Sequence, residues 1–324
     1  MKLGCVALGV AACTVAASAS TFATFQVTDS PSTIPLSINQ TGTVVGYYFD
    51  SLYIAHGFVR QTNGTIVSFD PPASVSTAPT AINRHGVVTG YFSDGTQAHG
   101  FVRTPKGKIS VFDPPLSTRT VAISIDRVGA IAGEYWDSSG MVHGFVRTAA
   151  GVITAFDPTG SMGTYVDNIN DAGNVVGSFF TGAGYTGYRR SPNGTIATYT
   201  YVGASSTTGV GIDDAGAIMG TYSFGNGPSH GFVLSSGTFT AFDPTGSTQT
   251  QPMAIDTTGT IAGSYYDIDN VVHGFMRTSA GTITSFDAPS SISTFATGIN
   301  ALGVISGHYA DAATGYEFGF VLIP

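Results

Sequence analysis

The segment INQTGTVVGYY, residues 38–48, carries the pattern that decides the fold of this chain. An Ile followed by Asn or Asp, with a Gly three residues after that polar residue, recurs along the whole sequence. The repeated Ile residues are Ile38, Ile82, Ile125, Ile169, Ile212, Ile255 and Ile299, at spacings of 43 or 44 residues. Asn or Asp at the first position of a turn and Gly at the fourth is typical of a type I turn. Each repeat is therefore predicted to begin with a β-hairpin.

The remainder of each repeat predicts two further strands. A polar loop leads to a His-Gly-Phe segment, as at residues 56–58, and a second Gly turn follows at residues 62–64. The last strand ends in Phe-Asp-Pro, as at residues 69–71. A period in the low forties with four short antiparallel strands is the signature of a propeller blade. The sequence thus predicts an all-β fold, a seven-bladed β-propeller forming a single domain over residues 20–324.

The two chain ends predict how the propeller closes. The seventh repeat stops after three strands, at residues 320–322, and lacks the Phe-Asp strand of the others. Residues 24–26, near the start, match that missing strand. The N-terminal strand is therefore predicted to complete blade seven, which would close the ring and remove an open sheet edge.

The first nineteen residues differ from the repeats. Lys2 precedes an apolar run, and Ala17-Ser18-Ala19 has the small-x-small form of a cleavage site. This pattern predicts a secretory signal peptide over residues 1–19 and a secreted, extracellular or periplasmic protein. The alternative is a lipid anchor at Cys13, because residues 10–13 resemble a lipobox. Both cysteines, Cys5 and Cys13, lie in this segment, so a chain cleaved after Ala19 would have no disulfide.

Composition narrows the classes of partner. The formal net charge is −8 and no basic stripe is present, which argues against nucleic acid. No later segment is continuously apolar over a membrane-spanning length. We find no nucleophile motif, Gly-rich phosphate loop or metal-ligand cluster, so we expect neither a cofactor nor a metal, and we expect a monomer.

The combined motif resembles a known family. The order Ile-Asn-x-x-Gly-x-Val-x-Gly, then His-Gly-Phe-Val-Arg, then Gly, is similar to the bacterial HAF-type extracellular repeat, and the match covers nearly all of residues 20–324. The chain departs from it with Gly where the family has Ala, and with Arg where an aromatic residue is common. The resemblance implies a secreted, propeller-like bacterial protein and carries no catalytic residues with it.

Five histidines recur with five aspartates, which invites a metal or catalytic interpretation. Counting from the second Gly turn places each His opposite an Asp across a hairpin. The predicted pairs are His56–Asp70, His99–Asp113, His143–Asp157, His230–Asp243 and His273–Asp287. Repeats four and seven lack both partners, with Thr186 and Thr200 in one and Phe318 and Gln26 in the other. Joint presence or absence predicts a structural hydrogen-bonded pair. The Thr five residues before each inner Ile is a candidate third member, and the Arg after each motif is predicted to be solvated or stacked.

Function is sought where one repeat departs from the others, because the repeated residues build the scaffold. The loops between blades and those before His-Gly-Phe lie on one face, where we expect a ligand to meet the propeller axis. The candidate ligand-binding residues are Arg119, Glu134, Trp136, Tyr165, Asp167, His308 and Tyr47. Aromatic, carboxylate and amide groups suit carbohydrate recognition. The alternative is that these residues serve only surface and inter-blade packing.

Two functions follow from this set. The first is a binding or interaction module for glycans or cell-envelope components. The second is a secreted carbohydrate-active enzyme, a polysaccharide lyase or glycosidase, with its site at the axis and with Glu134 and His308 available for acid/base chemistry. Convergence of Arg119, Glu134, Asp167 and His308 on one ligand would favour the enzyme.

Overall fold

The computed structural model describes residues 20–324, and their regular elements are all strands. The predicted signal peptide and the alternative lipid attachment at Cys13 lie outside the described residues. The 28 strands begin with β1 (Thr21–Phe25) and then follow in groups, which we call units one to seven in chain order.

The strand bounds repeat closely from unit to unit. Unit one holds β2 (Ser32–Ile38), β3 (Val44–Phe49), β4 (Ala55–Arg60) and β5 (Ile66–Phe69). Unit two holds β6 (Ser76–Ile82), β7 (Val88–Ser93), β8 (Ala98–Arg103) and β9 (Ile109–Phe112). Unit three holds β10 (Arg119–Ile125), β11 (Ile131–Trp136), β12 (Val142–Arg147) and β13 (Ile153–Phe156). Unit four holds β14 (Thr164–Ile169), β15 (Val175–Phe180), β16 (Tyr185–Arg190) and β17 (Ile196–Tyr199). Unit five holds β18 (Ser206–Ile212), β19 (Ile218–Ser223), β20 (His230–Ser235) and β21 (Thr238–Phe242). Unit six holds β22 (Gln249–Ile255), β23 (Ile261–Tyr266), β24 (Val272–Arg277) and β25 (Ile283–Phe286). Unit seven holds β26 (Ser291–Ile299), β27 (Ile305–Asp311) and β28 (Glu317–Ile323).

Pairing within the units is antiparallel and follows chain order. β1 pairs antiparallel with β28, from Thr21 opposite Ile323 to Phe25 opposite Gly319. It therefore holds in unit seven the outer position that β5 holds in unit one. A single parallel pair, Ser32 with Glu317, joins the sheet of unit seven to that of unit one.

The repeated Asn/Asp-x-x-Gly segment forms the turn between the first two strands of each unit. In unit one, Asn39 Oδ1 accepts hydrogen bonds from the backbone N–H groups of Thr41 and Thr43, at 3.1 and 3.0 Å. The Gly42 N–H donates to the Asn39 carbonyl at 3.0 Å, and Gly42 has φ of +82°. A positive φ favours Gly because it has no Cβ to clash with the backbone.

One aromatic residue per unit forms the centre of the core. Phe58, Phe101, Phe145, Tyr188, Phe232, Phe275 and Phe320 are fully buried. Each lies on the third strand and faces a Gly of the second. A Cβ on Gly133 would lie 2.7 Å from Phe145 Cζ and 2.3 Å from the Val121 carbonyl oxygen, so any side chain there would displace the ring or the backbone. The repeated Val-x-Gly and Gly-Phe motifs are therefore two halves of one contact.

Aromatic pairs also join neighbouring units. The Phe or Tyr ending each outer strand packs on the buried aromatic of the next unit, with ring centroids 5.8–6.4 Å apart. Phe25 of β1 makes this contact with Phe58 of unit one at 6.1 Å. Five arginines stack on the same outer rings, as Arg60 does on Phe25 at 4.7 Å. The stacking expected of this repeated Arg is present in the structure.

Candidate functional site

The five predicted His–Asp pairs lie within hydrogen-bond distance. The Nδ1 to carboxylate distances are 2.8 Å for His56–Asp70, 2.7 Å for His99–Asp113, 2.7 Å for His143–Asp157, 2.9 Å for His230–Asp243 and 2.9 Å for His273–Asp287. Each pair joins the start of the third strand to the connection that leads to the next unit. Such a bond fixes the connection to the strand on which the His lies.

A second carboxylate, which the sequence analysis missed, approaches the other ring nitrogen in four units. Nε2 of His56, His99, His143 and His273 lies 3.3–3.5 Å from Asp50, Asp94, Asp137 and Asp267 respectively. These aspartates also cap their own loops: Asp137 Oδ1 accepts from the N–H groups of Ser139 and Met141. They stand twelve residues after the inner Ile of their repeats, a recurrence visible in the sequence.

The recurring Thr joins the pairs in three places. Thr120 Oγ1 donates to Asp113 at 2.6 Å, Thr164 Oγ1 donates to Asp157 at 2.5 Å, and Thr250 Oγ1 donates to Asp243. Each Thr belongs to the unit after its Asp, so the network links two neighbouring units. Elsewhere the Thr hydroxyl accepts from the backbone of the connection: the N–H groups of Tyr201 and Ala288 donate to Thr207 and Thr294, each at 3.0 Å.

Four of the paired histidines, His56, His99, His143 and His273, are easier to protonate than an isolated imidazole. Burial lowers the pKa of His99, but hydrogen bonds to Asp113 and Asp94 outweigh it, and the pKa lies above its usual value. The pKa values of His56, His143 and His273 are raised by the same balance. Hydrogen bonds from Ser139 and from loop N–H groups lower the pKa of Asp137 to about 2. The network therefore combines a histidine that readily takes a proton with a loop aspartate whose pKa is lowered, as at Asp50, Asp94, Asp137 and Asp267.

The candidate ligand-binding residues of unit three make different contacts. The Arg119 guanidinium stacks on the Trp136 ring at 4.3 Å, and Arg119 is exposed at the start of β10. Glu134 points to the next unit, where its Oε2 accepts from the Val166 N–H at 3.3 Å. Ser264 makes the equivalent contact with the Ala296 N–H at 3.1 Å, so this position bonds to the next unit elsewhere too. Burial raises the pKa of Glu134 to about 7.

The two candidate residues of unit four, Tyr165 and Asp167, lie in different environments. Tyr165 packs edge-to-face on Tyr185, with ring centroids 5.8 Å apart. Asp167 lines the central cavity described below. Protein surrounds the side chain of Asp167, and only part of its surface is exposed, towards the cavity. Burial, followed by the negative charge of Glu134, raises its pKa to about 8.

The last two candidates lie near Glu317, another acid that the sequence analysis missed. His308 stacks on Phe295 at 4.9 Å, and its Nε2 lies 3.9 Å from Glu317 Oε1. Burial lowers the pKa of His308. Tyr47 packs edge-to-face on Phe49 at 5.5 Å, and burial together with the charges of Tyr91 and Glu317 raises its pKa. Glu317 is the only acid at its position in the repeats, which aligning the repeats would have shown.

The structure does not bring all seven candidates to one place, although Glu134 interacts electrostatically with Arg119, Tyr165 and Asp167. Arg119 and Trp136 pair at the start of β10, Glu134 bonds to the adjacent backbone, and His308 is packed beside Phe295. Of the seven, only Asp167 lines the central cavity. The convergence of Arg119, Glu134, Asp167 and His308 on one ligand, which would have favoured the enzyme, is absent, because His308 packs beside Phe295 in unit seven and only Asp167 reaches the cavity.

A central cavity of about 400 Å³ is lined by the first strands of all seven units and by the turns after them. These are the ends of the strands opposite to the loops that carry the His–Asp pairs. The cavity therefore lies at the other end of the axis from the face where the sequence analysis expected a ligand. Its volume is within the range of small-molecule sites.

The two ends of the units differ in charge. We call the end with the inter-unit connections and the loops before the third strand the loop face, exemplified by residues 50–54 and 70–75. We call the opposite end the turn face, exemplified by residues 39–43 and 61–65. The loop face carries Asp29, Asp50, Asp70, Asp94, Asp113, Asp137, Asp157, Asp243, Asp267, Asp269, Asp287, Asp311 and Glu317, against the single arginine Arg119 among the described residues. The other arginines and lysines of residues 20–324 lie towards the turn face.

Exposed apolar side chains are also concentrated on the loop face. They are Leu52, Tyr53, Ile54, Val75, Leu116, Met141, Met162, Tyr185, Val202, Phe224, Ile268, Val271, Ile292 and Tyr316. Leu116 and Val202 are 89% and 87% exposed, so these side chains are not edges of the core. The turn face has fewer, such as Val128 and Leu302. Large exposed apolar sets with polar surroundings mark interaction surfaces.

Across residues 20–324, no group of three or more His, Asp or Glu side chains is arranged to hold a metal ion. Within this range, no helix is long and apolar enough to cross a bilayer.

Comparison with known proteins identifies the architecture. No protein-family model matches the chain, and no curated protein matches it. A streptogramin B lyase structure aligns with 94% of this chain and 98% of its own, at 16% identity and a TM-score of 0.62. An oligogalacturonate lyase from Vibrio parahaemolyticus aligns with 94% of this chain and 96% of its own, at 8% identity and a TM-score of 0.63. The β-propeller domain of the Trilobed protease from Pyrococcus furiosus aligns with 89% and 95%, at 10% identity and a TM-score of 0.63. At such identities the likeness speaks for the fold alone, and the fold is that of a β-propeller.

Proposed function

We propose that this chain is a secreted, seven-bladed β-propeller that binds glycans of the cell envelope or its surroundings through the loop face. The observation that carries the proposal is the collection of exposed apolar and aromatic side chains on that face in every unit, set among carboxylates. Sugar rings stack on aromatic side chains, and their hydroxyl groups donate to carboxylates.

A closed ring supports this assignment because it presents all the loops on one surface. In our proposal the units are seven blades in one domain, and β1 closes blade seven by pairing with β28. Asn300 Nδ2 donates to the Asn39 carbonyl at 3.0 Å, as Asn39 Nδ2 does to the Asn83 carbonyl at 3.2 Å. The contact between the last and first units thus repeats one between consecutive units.

Secretion is proposed from the sequence. Residues 1–19 have the form of a signal peptide, with the lipid anchor at Cys13 as the alternative. The resemblance to the HAF-type extracellular repeat points the same way. We propose that the mature chain works as a monomer at the cell surface, outside the cell or in the periplasm.

The charge of the loop face narrows the class of glycan. A surface rich in carboxylates with one arginine repels uronates and other acidic polysaccharides. Neutral glycans and those with amino sugars avoid this cost, and an ammonium group gains from it. We therefore propose neutral or amino-sugar glycans as the ligands.

A secreted carbohydrate-active enzyme, a polysaccharide lyase or glycosidase, is the second candidate. One observation favours it: Glu134 and Asp167 interact electrostatically and have pKa values of about 7 and 8, which suit acid/base catalysis. Against it, Glu134 is not part of the central cavity wall and bonds to the Val166 backbone. The streptogramin B lyase and the oligogalacturonate lyase named above are too distant in sequence to lend a site.

The test is a glycan array probed with residues 20–324, together with a search for degradation products from the same glycans. We expect binding to neutral or amino-sugar glycans, weak binding to uronates, and no product. The double variant Tyr53→Ala/Phe224→Ala removes two exposed aromatic rings of the loop face, and Val128→Ala/Leu302→Ala is the matched control on the turn face. Equal loss of binding in both variants would refute the loop face as the site, and product formation would favour the enzyme.

A further inference from the structure

A β-bulge in the first strand of every unit determines which side chains line the central cavity. In each inner strand the register shifts by one residue before the last two pairs, as between Val166 and Asn168 in unit four. The extra residue of a bulge is unpaired and its side chain is aimed away from the regular pleat. These residues are Leu36, Thr80, Ile123, Asp167, Val210, Met253 and Thr297, and all seven line the cavity.

Asp167 stands apart in this ring. Four of the other members are apolar, and the two threonines already donate to the backbone: Thr80 to the Ala122 carbonyl at 2.9 Å and Thr297 to the Ser306 carbonyl at 3.2 Å. Asp167 is the one ionisable member, and its carboxyl group makes no side-chain hydrogen bond or ion pair within residues 20–324. An enclosed carboxyl group without a partner is costly, which makes it a candidate to receive one from a ligand.

No cation among residues 20–324 compensates Asp167. The charged group that acts on it is Glu134 on β11, and it repels. The buried phenol groups of Tyr188 on β16 and Tyr199 on β17 are also close to Asp167. Burial raises the pKa values of both phenols, and the negative charge of Asp167 raises them further. At the mouth of the cavity, Arg127 Nε instead lies 4.0 Å from Asp171. Arg84, Asp213, Asp214 and Asp256 are the other charged residues that line the cavity.

We propose that the cavity binds a small organic cation, an alkylammonium ion whose ammonium group pairs with Asp167 and whose carbon chain lies against the apolar bulge residues. The carboxylate supplies the charge and hydrogen-bond acceptor that the ammonium ion requires. Leu36, Ile123, Val210 and Met253 supply the apolar contact. This site lies at the turn-face end of the axis and is independent of glycan binding at the loop face.

Binding should be linked to pH through Asp167. An ammonium ion pairs with the ionised carboxylate, and burial and Glu134 keep that carboxyl group largely protonated below a pKa of about 8. The alkylammonium ion itself stays charged until about pH 10. Affinity should therefore rise about tenfold between pH 7 and pH 9. Ionisation of Glu134, with its pKa of about 7, adds to the rise in the lower part of this window.

Isothermal titration of residues 20–324 with n-butylammonium and n-hexylammonium, at constant ionic strength, tests the proposal. The same titration with 1-hexanol and hexanoate separates charge from apolar contact. We expect the ammonium ions to bind, 1-hexanol to bind at least tenfold more weakly, and hexanoate not to bind. Asp167→Asn keeps the shape of the side chain and should reduce hexylammonium affinity to that of 1-hexanol, with the pH dependence lost.

Asp269→Asn is the matched control, because it removes one carboxylate from an exposed loop of the opposite face. We expect it to bind hexylammonium as the unaltered protein does. The proposal would be overturned if Asp167→Asn bound hexylammonium as tightly as the unaltered protein, or if Asp167→Asn and Asp269→Asn lost the same affinity. Failure of both ammonium ions to bind the unaltered protein at pH 9 would also overturn it.

Discussion

The Asp113→Asn substitution tests whether the His–Asp pairs hold neighbouring units together. Asp113 accepts from His99 at 2.7 Å and from Thr120 at 2.6 Å, and Thr120 belongs to the next unit. Hydrogen bonds to a charged acceptor contribute about 1.5–3 kcal/mol each when well shielded. The Asp113 side chain is 33% exposed and Asn keeps one acceptor oxygen, so we expect a loss of about 1–2 kcal/mol in the free energy of unfolding.

The effect should depend on pH in a defined direction. Because the pKa of His99 is raised in the folded protein, its protonation stabilises the fold fully below its unfolded pKa, near 6.5. That contribution disappears as the pH rises through the folded pKa. The difference between Asp113→Asn and the unaltered protein should therefore be larger at pH 6 than at pH 9.

Two assays make the prediction measurable. Urea unfolding followed by circular dichroism gives the free energy at each pH, and NMR titration of the imidazole ring gives the pKa of His99, which should fall in the variant. Thr200→Ala in unit four is the control, since that unit has no His partner at this position. An unchanged His99 pKa together with unchanged stability would refute the pairing. Thr200→Ala should leave the His99 pKa unaltered.

Two further substitutions address the cavity and the core. Asp167→Asn should stabilise the protein by about 2 kcal/mol at pH 9, where the enclosed, unpartnered carboxylate is ionised, and much less at pH 4, where it is protonated in the folded protein and about half protonated in the unfolded chain. Equal urea midpoints of variant and parent at pH 9 would contradict this. Phe145→Ala removes a fully buried ring that packs on Gly133 and should cost about 3–5 kcal/mol, whereas Val152→Ala, on a 62% exposed side chain, should change stability by less than about 0.5 kcal/mol; a loss below about 1 kcal/mol for Phe145→Ala would contradict the core described above.

The repeat made much of the fold predictable. Ile38-Asn39 and its equivalents mark the end of each inner strand because the Asn side chain and Gly42 together specify the turn. The positions of His99 and Asp113 relative to the second Gly turn were enough to place them opposite each other. Such inferences rely on local backbone geometry, which a period of 43 or 44 residues repeats seven times.

The candidate site was less predictable because it depends on side-chain directions. Glu134 and Asp167 are both unusual within their repeats, yet one points to the next unit and the other into the cavity. The bulge that aims Asp167 at the axis is a register shift between two strands, and no residue type marks it in the sequence. The acidic character of the loop face could have been predicted from the sequence, since Asp50 and its equivalents recur at one position of the repeat.

The most direct test of the account is a disulfide across the proposed closure of the ring. Thr21 on β1 lies opposite Ile323 on β28, and the two cysteines of the sequence precede residue 20, so Thr21→Cys/Ile323→Cys would contain the only cysteines of residues 20–324. We expect the disulfide to form in air and to raise the free energy of unfolding by up to about 5 kcal/mol, because it closes nearly the whole chain into one loop. The control Thr21→Cys/Val67→Cys, with one cysteine on the outer strand of unit one, should remain reduced. A Thr21–Ile323 pair that stays reduced, or a control that oxidises as readily, would contradict a propeller closed by its N-terminal strand.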